Sequence, residues 1–145
     1  MYGPGASFDP VDSHVLTGFI RRFHDAKVAG DKEFVVWGTG KPRREFLYIE
    51  DLADACLFLM DTYESSELIN VGSGVDMAIK DLARLVQGIV GFKGKLTFDT
   101  TKPDGAMRKL LDSRKINKLG WKPKVDFEDG IRKTYQWFLK NKATK

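Results

Sequence analysis

Trp37-Gly-Thr-Gly-Lys-Pro-Arg-Arg-Glu-Phe-Leu-Tyr-Ile-Glu-Asp-Leu-Ala53 is the stretch on which the reading of this chain turns. An aromatic residue, a tight glycine turn and two adjacent arginines precede a short apolar run and a helix start. Glu33 to Trp37 is a β-branched and aromatic run, Gly38 to Pro42 is turn chemistry, and Glu45 to Ile49 is a second short run. Together they predict a hairpin with Arg43 and Arg44 at its base. A guanidinium offers a planar donor fork suited to phosphate oxygens, and an indole offers a face on which a base or sugar can lie. The segment is therefore read as a scaffold for a flat, anionic ligand. Taken alone, it reads first as an ordinary solvated hairpin with surface arginines, because Gly and charged residues are common in turns.

Working outward, helical spacing of Val15, Leu16, Phe19, Ile20 and Phe23 predicts a helix from His14 to Ala29, capped by Asp12 or Ser13 and stopped by Gly30. A second helix opens at Asp51 and runs to Thr62. Its Leu52, Ala53, Cys56, Leu57, Leu59 and Met60 leave little polar surface, which predicts a buried helix. Leu68 to Val71 reads as a short strand ending in Gly72-Ser-Gly74, followed by a loop and a helix from Ile79 to Val90. Lys95 to Phe98 reads as a strand, Thr101 to Gly105 as a polar loop, and Arg108 to Leu111 as extended. Ser113 is read as the cap of a short helix ending at Gly120, and Phe127 to Lys140 as the last helix. The class is α/β, and no linker divides the chain.

The 145 residues are 42% hydrophobic, enough for one domain with a real core. No apolar run reaches the ~20 residues needed to cross a bilayer, so the chain reads as soluble and cytoplasmic, without a membrane partner. One cysteine, Cys56, excludes an internal disulfide, and with only His14 and His24 beside it a metal centre is not expected. Placed in an apolar helix, Cys56 is read as a core residue. The net charge of +4 favours anionic partners, yet the basic residues are scattered and no nucleic-acid-binding motif is present. A small nucleotide needs only two or three well-placed cations.

Dinucleotide binding calls for a glycine-rich turn between a strand and a helix. Gly3-Pro-Gly5, Gly38-Thr-Gly40 and Gly72-Ser-Gly74 each fail that context. A Tyr-x-x-x-Lys pair is also lacking, since Tyr2, Tyr48, Tyr63 and Tyr135 are followed four residues on by Ala6, Leu52, Glu67 and Leu139. The chain does not carry the machinery for hydride transfer.

Tyr2-Gly-Pro4, Phe8-Asp-Pro10, Ser13-His-Val15, Arg21-Arg-Phe-His24, Val36-Trp-Gly38, Arg44-Glu-Phe46, Asn70-Val-Gly72, Phe98-Asp-Thr-Thr-Lys-Pro-Asp-Gly105 and Arg108-Lys-Leu-Leu-Asp112 stand in order along the chain. This series resembles the C-terminal half of the GDP-L-fucose synthases, which are extended short-chain dehydrogenase/reductases of the NAD-dependent epimerase/dehydratase type. The resemblance implies the substrate-binding C-terminal part of a Rossmann enzyme, residues 1–145, with one or two strands of the parent sheet. The N-terminal NADP-binding Rossmann domain would lie upstream of Met1, so the chain is expected to be a fragment, inactive alone. Family enzymes epimerise C3 and C5 of GDP-4-keto-6-deoxy-D-mannose and reduce C4 with NADPH.

By the same resemblance, His14 is the general acid that reprotonates an enolate, a task that suits an imidazole. Arg22, Trp37, Arg44, Asp104 and Lys109 bind the GDP-sugar, and Met1 with His14 borders NADP(H). Helical geometry alone would choose Arg21 over Arg22, which is about 80° around the helix from His14. Ala6 and Ser7 stand where the resemblance leads one to expect an Asp-Asn pair. Two other readings remain: the same portion of another nucleotide-sugar epimerase/dehydratase, and a non-catalytic sugar-nucleotide-binding module. Leu68 to Val71 would belong to the edge of the parent sheet, and apolar surface meant for the missing N-terminal domain would be exposed, with homo-oligomerisation as one outcome.

Overall fold

The computed structural model describes residues 1–141. Helix α1 (Val15–Ala29) forms where the apolar spacing indicates, and Gly30 ends it in the left-handed region at φ 72°. Its cap differs from expectation. His14 is the N-cap and makes no side-chain cap bond. Asp12 and Ser13 do not cap it, because the chain before it is turned by Asp9, whose Oδ1 accepts the N–H groups of Val11 at 2.8 Å and Asp12 at 2.9 Å.

Strand β1 (Glu33–Trp37) alternates strictly, with Phe34 and Val36 buried and Val35 and Trp37 outside. Its partner is not the next strand. It pairs in parallel with β4 (Lys95–Asp99), Trp37 opposite Asp99, so the predicted hairpin does not form. Parallel partners need a long crossover, and the intervening chain supplies one. Gly38 and Gly40, at φ 84° and 71°, steer the chain into a second sheet instead of folding it back on β1. That sheet has the order β3 (Asp76–Ala78), β2 (Arg43–Glu45), β5 (Arg108–Lys109), with β2 antiparallel to β3 and parallel to β5. The second strand is thus Arg43–Glu45, and Ile49 already belongs to the following helix. Leu68 to Val71 forms no ladder among the described residues, and Leu68 is 97% exposed. A strand needs a partner edge, and none lies beside this run.

Helix α2 (Ile49–Thr62) buries only Asp51 and Ala55. Cys56 is exposed, as are Leu57 at 63% and Met60 at 80%, so the expected buried helix instead carries an open apolar stripe through Ala53, Cys56, Leu57 and Met60. Its inner side is anchored by Asp51, whose carboxylate accepts the Lys124 and Val125 N–H groups at 2.9 and 3.2 Å. Composition told that the helix was apolar; packing decided that only one side has a partner among the described residues.

Helices α3 (Ile79–Val90) and α5 (Phe127–Asn141) pack with α1 around the main core. Phe23 lies flat against Phe34 with ring centroids 3.7 Å apart, and Leu82, Val86, Val90, Ile131 and Phe138 are essentially fully buried around them. This core backs the inner face of β1. A smaller cluster joins Leu47, Ala55, Trp121 and Ile116 of α4 (Arg114–Lys118), pinned by the Trp121 indole donating to Asp54 at 2.8 Å. Ser113 is the N-cap of α4 as expected, but its hydroxyl makes no cap bond. No helix among the described residues is long and apolar enough to cross a membrane.

Candidate functional site

Trp37 is the last residue of β1. The alternation that buries Val36 turns the Trp37 indole outward, where it is 68% exposed. Gly38 continues the ladder by donating to the Asp99 carbonyl at 2.9 Å, and the chain then turns at Thr39. Asp104, from the loop after β4, meets that turn. Its Oδ1 accepts the Thr39 N–H at 2.9 Å and its Oδ2 accepts the Thr39 hydroxyl at 2.6 Å. Those bonds, side-chain donor first, hold the Asp104 carboxyl below the usual carboxylate range.

Charge is sorted between the two faces of the second sheet. Alternation along β2 puts Arg43 and Glu45 on one face and Arg44 on the other, and the in-register parallel partners Arg108 and Lys109 follow suit. On the first face Arg43 donates to Asp76 Oδ1 at 2.8 Å, and Arg108 reaches Asp76 Oδ2. Glu45 there accepts the Gly74 N–H at 2.6 Å and the Leu111 N–H at 2.9 Å. The charges of that face balance, Arg43 and Arg108 against Asp76 and Glu45. On the opposite face Arg44 and Lys109 stand side by side, and neither has a carboxylate partner among the described residues. Arg44 is held in place by Nη1 donating to the carbonyls of Arg43 at 2.8 Å and Ala106 at 2.6 Å, which leaves its other nitrogens unengaged.

Arg22 lies on α1 with its guanidinium 4.7 Å over the Phe34 ring, and its Nη2 donates to the Val35 carbonyl at 2.9 Å. Burial lowers its pKa. Arg21, which helical geometry alone would have chosen, is paired with Asp25 at 2.8 Å. His14 is exposed at the start of α1, about 12 Å along the axis from Arg22 by helical rise. Met1 is exposed beside Tyr2, which bridges to Tyr48. The structure thus brings Trp37, Asp104, Arg44 and Lys109 into one assembly around a single loop. No hydrogen bond or ion pair among the described residues ties His14 or Met1 to it.

Sequence reasoning passed over Thr39, Asp76 and Glu45. Thr39 sits inside the Gly-Thr-Gly turn and could have been noticed as its only side chain with a donor. Asp76 and Glu45 carry no local signal, since their partners come from elsewhere in the sequence. An apolar cavity of about 280 Å³, lined by Tyr2, Phe46, Tyr48, Met77, Val125 and Phe127, was also not foreseen.

The sequence profile of the NAD dependent epimerase/dehydratase family matches residues 1–72. Over 141 residues the chain is 57% identical to GDP-L-fucose synthase 1 of Arabidopsis thaliana, covering 97% of this chain and 44% of the relative. It is 43% identical over 150 residues to GDP-L-fucose synthase of Escherichia coli K12, covering 97% of this chain and 47% of that protein. A GDP-L-fucose synthetase from Naegleria fowleri, solved bound to NADP, superposes with a TM-score of 0.90 at 35% identity, covering 97% of this chain and 44% of that one. The chain belongs to the NAD dependent epimerase/dehydratase family.

Within that family its likeness is to the GDP-L-fucose synthases, as the motif series indicated, and the α/β class agrees. The chain spans a little under half the length of the relatives it matches. In this epimerase/dehydratase segment the carboxylates that brace the site and the smaller Trp121 cluster are held below the usual carboxylate range. Hydrogen bonds from Arg108 and Arg43 lower the pKa of Asp76, as Thr39 does for Asp104, and those from Lys124 and Trp121 do so for Asp54. The folded state then binds fewer protons than the unfolded state near pH ~3–4, so their contribution is complete above the unfolded values and is lost as pH falls through the folded ones. The urea midpoint is expected to stay level from pH ~7 to ~5 and to drop below pH ~4. A midpoint that held constant to pH ~2 would contradict these ties.

Proposed function

We propose that this chain is the substrate-binding portion of a GDP-L-fucose synthase, the NADPH-dependent enzyme that epimerises GDP-4-keto-6-deoxy-D-mannose at C3 and C5 and reduces it at C4. One observation carries the reading: the Arg44 and Lys109 pair, without a carboxylate partner among the described residues, stands beside a loop that also holds the turn of the exposed Trp37. Two cations in register suit a diphosphate, and the indole face suits a base or hexose. Arg22 extends the positive charge along β1, and His14 serves as the acid that returns a proton to the sugar. The Arabidopsis thaliana and Escherichia coli relatives are GDP-L-fucose synthases by name, and NADP is bound in the Naegleria fowleri structure. Bound NADPH supplies the hydride for the C4 step; the residues of this chain bind and orient the sugar nucleotide.

Neither a dinucleotide fingerprint nor a Tyr-x-x-x-Lys pair occurs in these residues, so the cofactor half is assigned to sequence outside them, with Met1 and His14 at the border. On this reading the chain alone is inactive, and the apolar stripe of α2 is the face that the NADP-binding half covers. Calorimetry with GDP-, UDP- and dTDP-sugars tests the assignment. GDP preference is the expected result, UDP preference points to another epimerase of the family, and absence of binding removes the reading. Replacing Arg44 with Ala in a chain joined to its NADP-binding half is expected to raise KM for the GDP-sugar by about tenfold or more with little change in kcat, the signature of a contact uniform across ground and transition states. Unaltered KM would sink the diphosphate contact.

A further inference from the structure

Just beyond the end of β2 lies the apolar cavity of about 280 Å³ walled by Tyr2, Phe46, Tyr48, Met77, Val125 and Phe127. None of His14, Arg22, Trp37, Arg44, Asp104 or Lys109 lines it, so it stands apart from the proposed sugar-nucleotide contacts. Its volume falls short of the ~300–1,000 Å³ of sites that take drug-sized ligands, yet is about twice the ~150 Å³ that admits benzene. One substituted or fused ring fits; a nucleotide does not. Val75 stands at the rim and is 72% exposed, which leaves the cavity a mouth.

The polar groups on the wall set the chemistry of an occupant. The Tyr2 hydroxyl donates to the Phe127 carbonyl at 3.3 Å and the Ser73 hydroxyl to the Val75 carbonyl at 3.1 Å, so both protons are used. Asp76 is paired with Arg43 and Arg108. What stays available is accepting capacity. Asp51, 4% exposed, takes one backbone N–H on each oxygen and has no cationic partner among the described residues, so lone pairs remain on both oxygens. Tyr48, also on the wall and 2% exposed, makes no side-chain hydrogen bond among the described residues. An anion would meet the Asp51 charge, and a cation would leave water for a wall that is mostly aliphatic and aromatic; a neutral donor pays neither cost. We infer that the cavity is a binding site for a small neutral ring carrying one N–H or O–H donor, of the phenol or indole class, with the ring against Phe46, Met77 and Phe127 and the donor on Asp51. Met77 is the cross-strand partner of Arg44 in the β2–β3 ladder, so such an occupant touches the sheet that presents Arg44.

The experiment uses the full chain labelled with methyl-13C methionine, which gives four methyl signals, with Met77 assigned through Met77→Leu. Indole and 4-methylphenol are the probes; toluene lacks the donor, benzoate carries a negative charge and benzylammonium a positive one. Indole and 4-methylphenol are expected to displace the Met77 signal saturably with Kd of about 1 mM or below, toluene about tenfold more weakly, and the two ions not at all. Val75→Trp places a bulky side chain at the rim and should abolish the indole response, while its urea midpoint matches the parent because Val75 is exposed. The same response is expected in a chain joined to its NADP-binding half. An unmoved Met77 signal in the parent chain overturns the site, as does a response that survives Val75→Trp or one that disappears in the longer protein. Toluene binding as tightly as indole, or tighter binding of either ion, overturns the ligand class.

Discussion

His14→Gln, in a chain joined to its NADP-binding half, is expected to slow epimerisation by about 10²–10⁴-fold, the usual worth of a positioned general acid. GDP affinity and thermal stability should barely change. The structure separates these effects. His14 is an exposed N-cap whose side chain makes no cap bond, so its imidazole contributes nothing to α1 that Gln would remove. Glutamine keeps the polarity and approximate reach but cannot deliver a proton. The measurement is deuterium uptake from solvent at C3 and C5 of the sugar. Uptake at the parent rate would exclude His14 as the acid, whereas normal uptake at one carbon only would confine its role to the other.

Phe23→Ala is expected to cost about 3–5 kcal/mol of stability, near the top of the range for single substitutions. Phe23 is fully buried, stacks on Phe34, meets Phe19 edge-on and Phe92 at a tilt, so truncation leaves a cavity between α1 and the inner face of β1. Val35→Ala on the outer face of the same strand, 39% exposed, is the control and should change stability by no more than about 0.5 kcal/mol. Urea unfolding monitored at α-helical ellipticity reads both. A loss below about 1 kcal/mol for Phe23→Ala would mean that the core relaxes around the hole. The functional corollary is that β1 loses its backing, so Trp37 at the end of the strand becomes less ordered.

Legibility followed the range of the interactions. Helices α1, α3 and α5, the strand β4 and the glycine stop at Gly30 were readable because helical spacing, β-branched runs and a left-handed residue are local signals. The hairpin was misread for a related reason: Gly38 to Pro42 has the chemistry of a tight turn, and nothing local says that β1 will be taken up by a strand some sixty positions later. Helix α2 was read as buried because its composition is apolar, but burial depends on which neighbours exist. In the site, Trp37 and Arg44 stood out by residue type, whereas Thr39 and Asp76 did not, because each matters only through a partner remote in sequence.

By itself the sequence determined the α/β class, the helices with their apolar faces, and a motif series specific enough to name a family. The tertiary structure decided which strand pairs with which, that Asp104 is bonded to Thr39, and that Arg44 and Lys109 share a face while Arg43 and Arg108 share Asp76 on the other. The physical reason is common to all three. Propensity and periodicity are properties of neighbours along the chain, but ladder pairing and charge compensation are settled among groups that meet only after the chain has closed its loops.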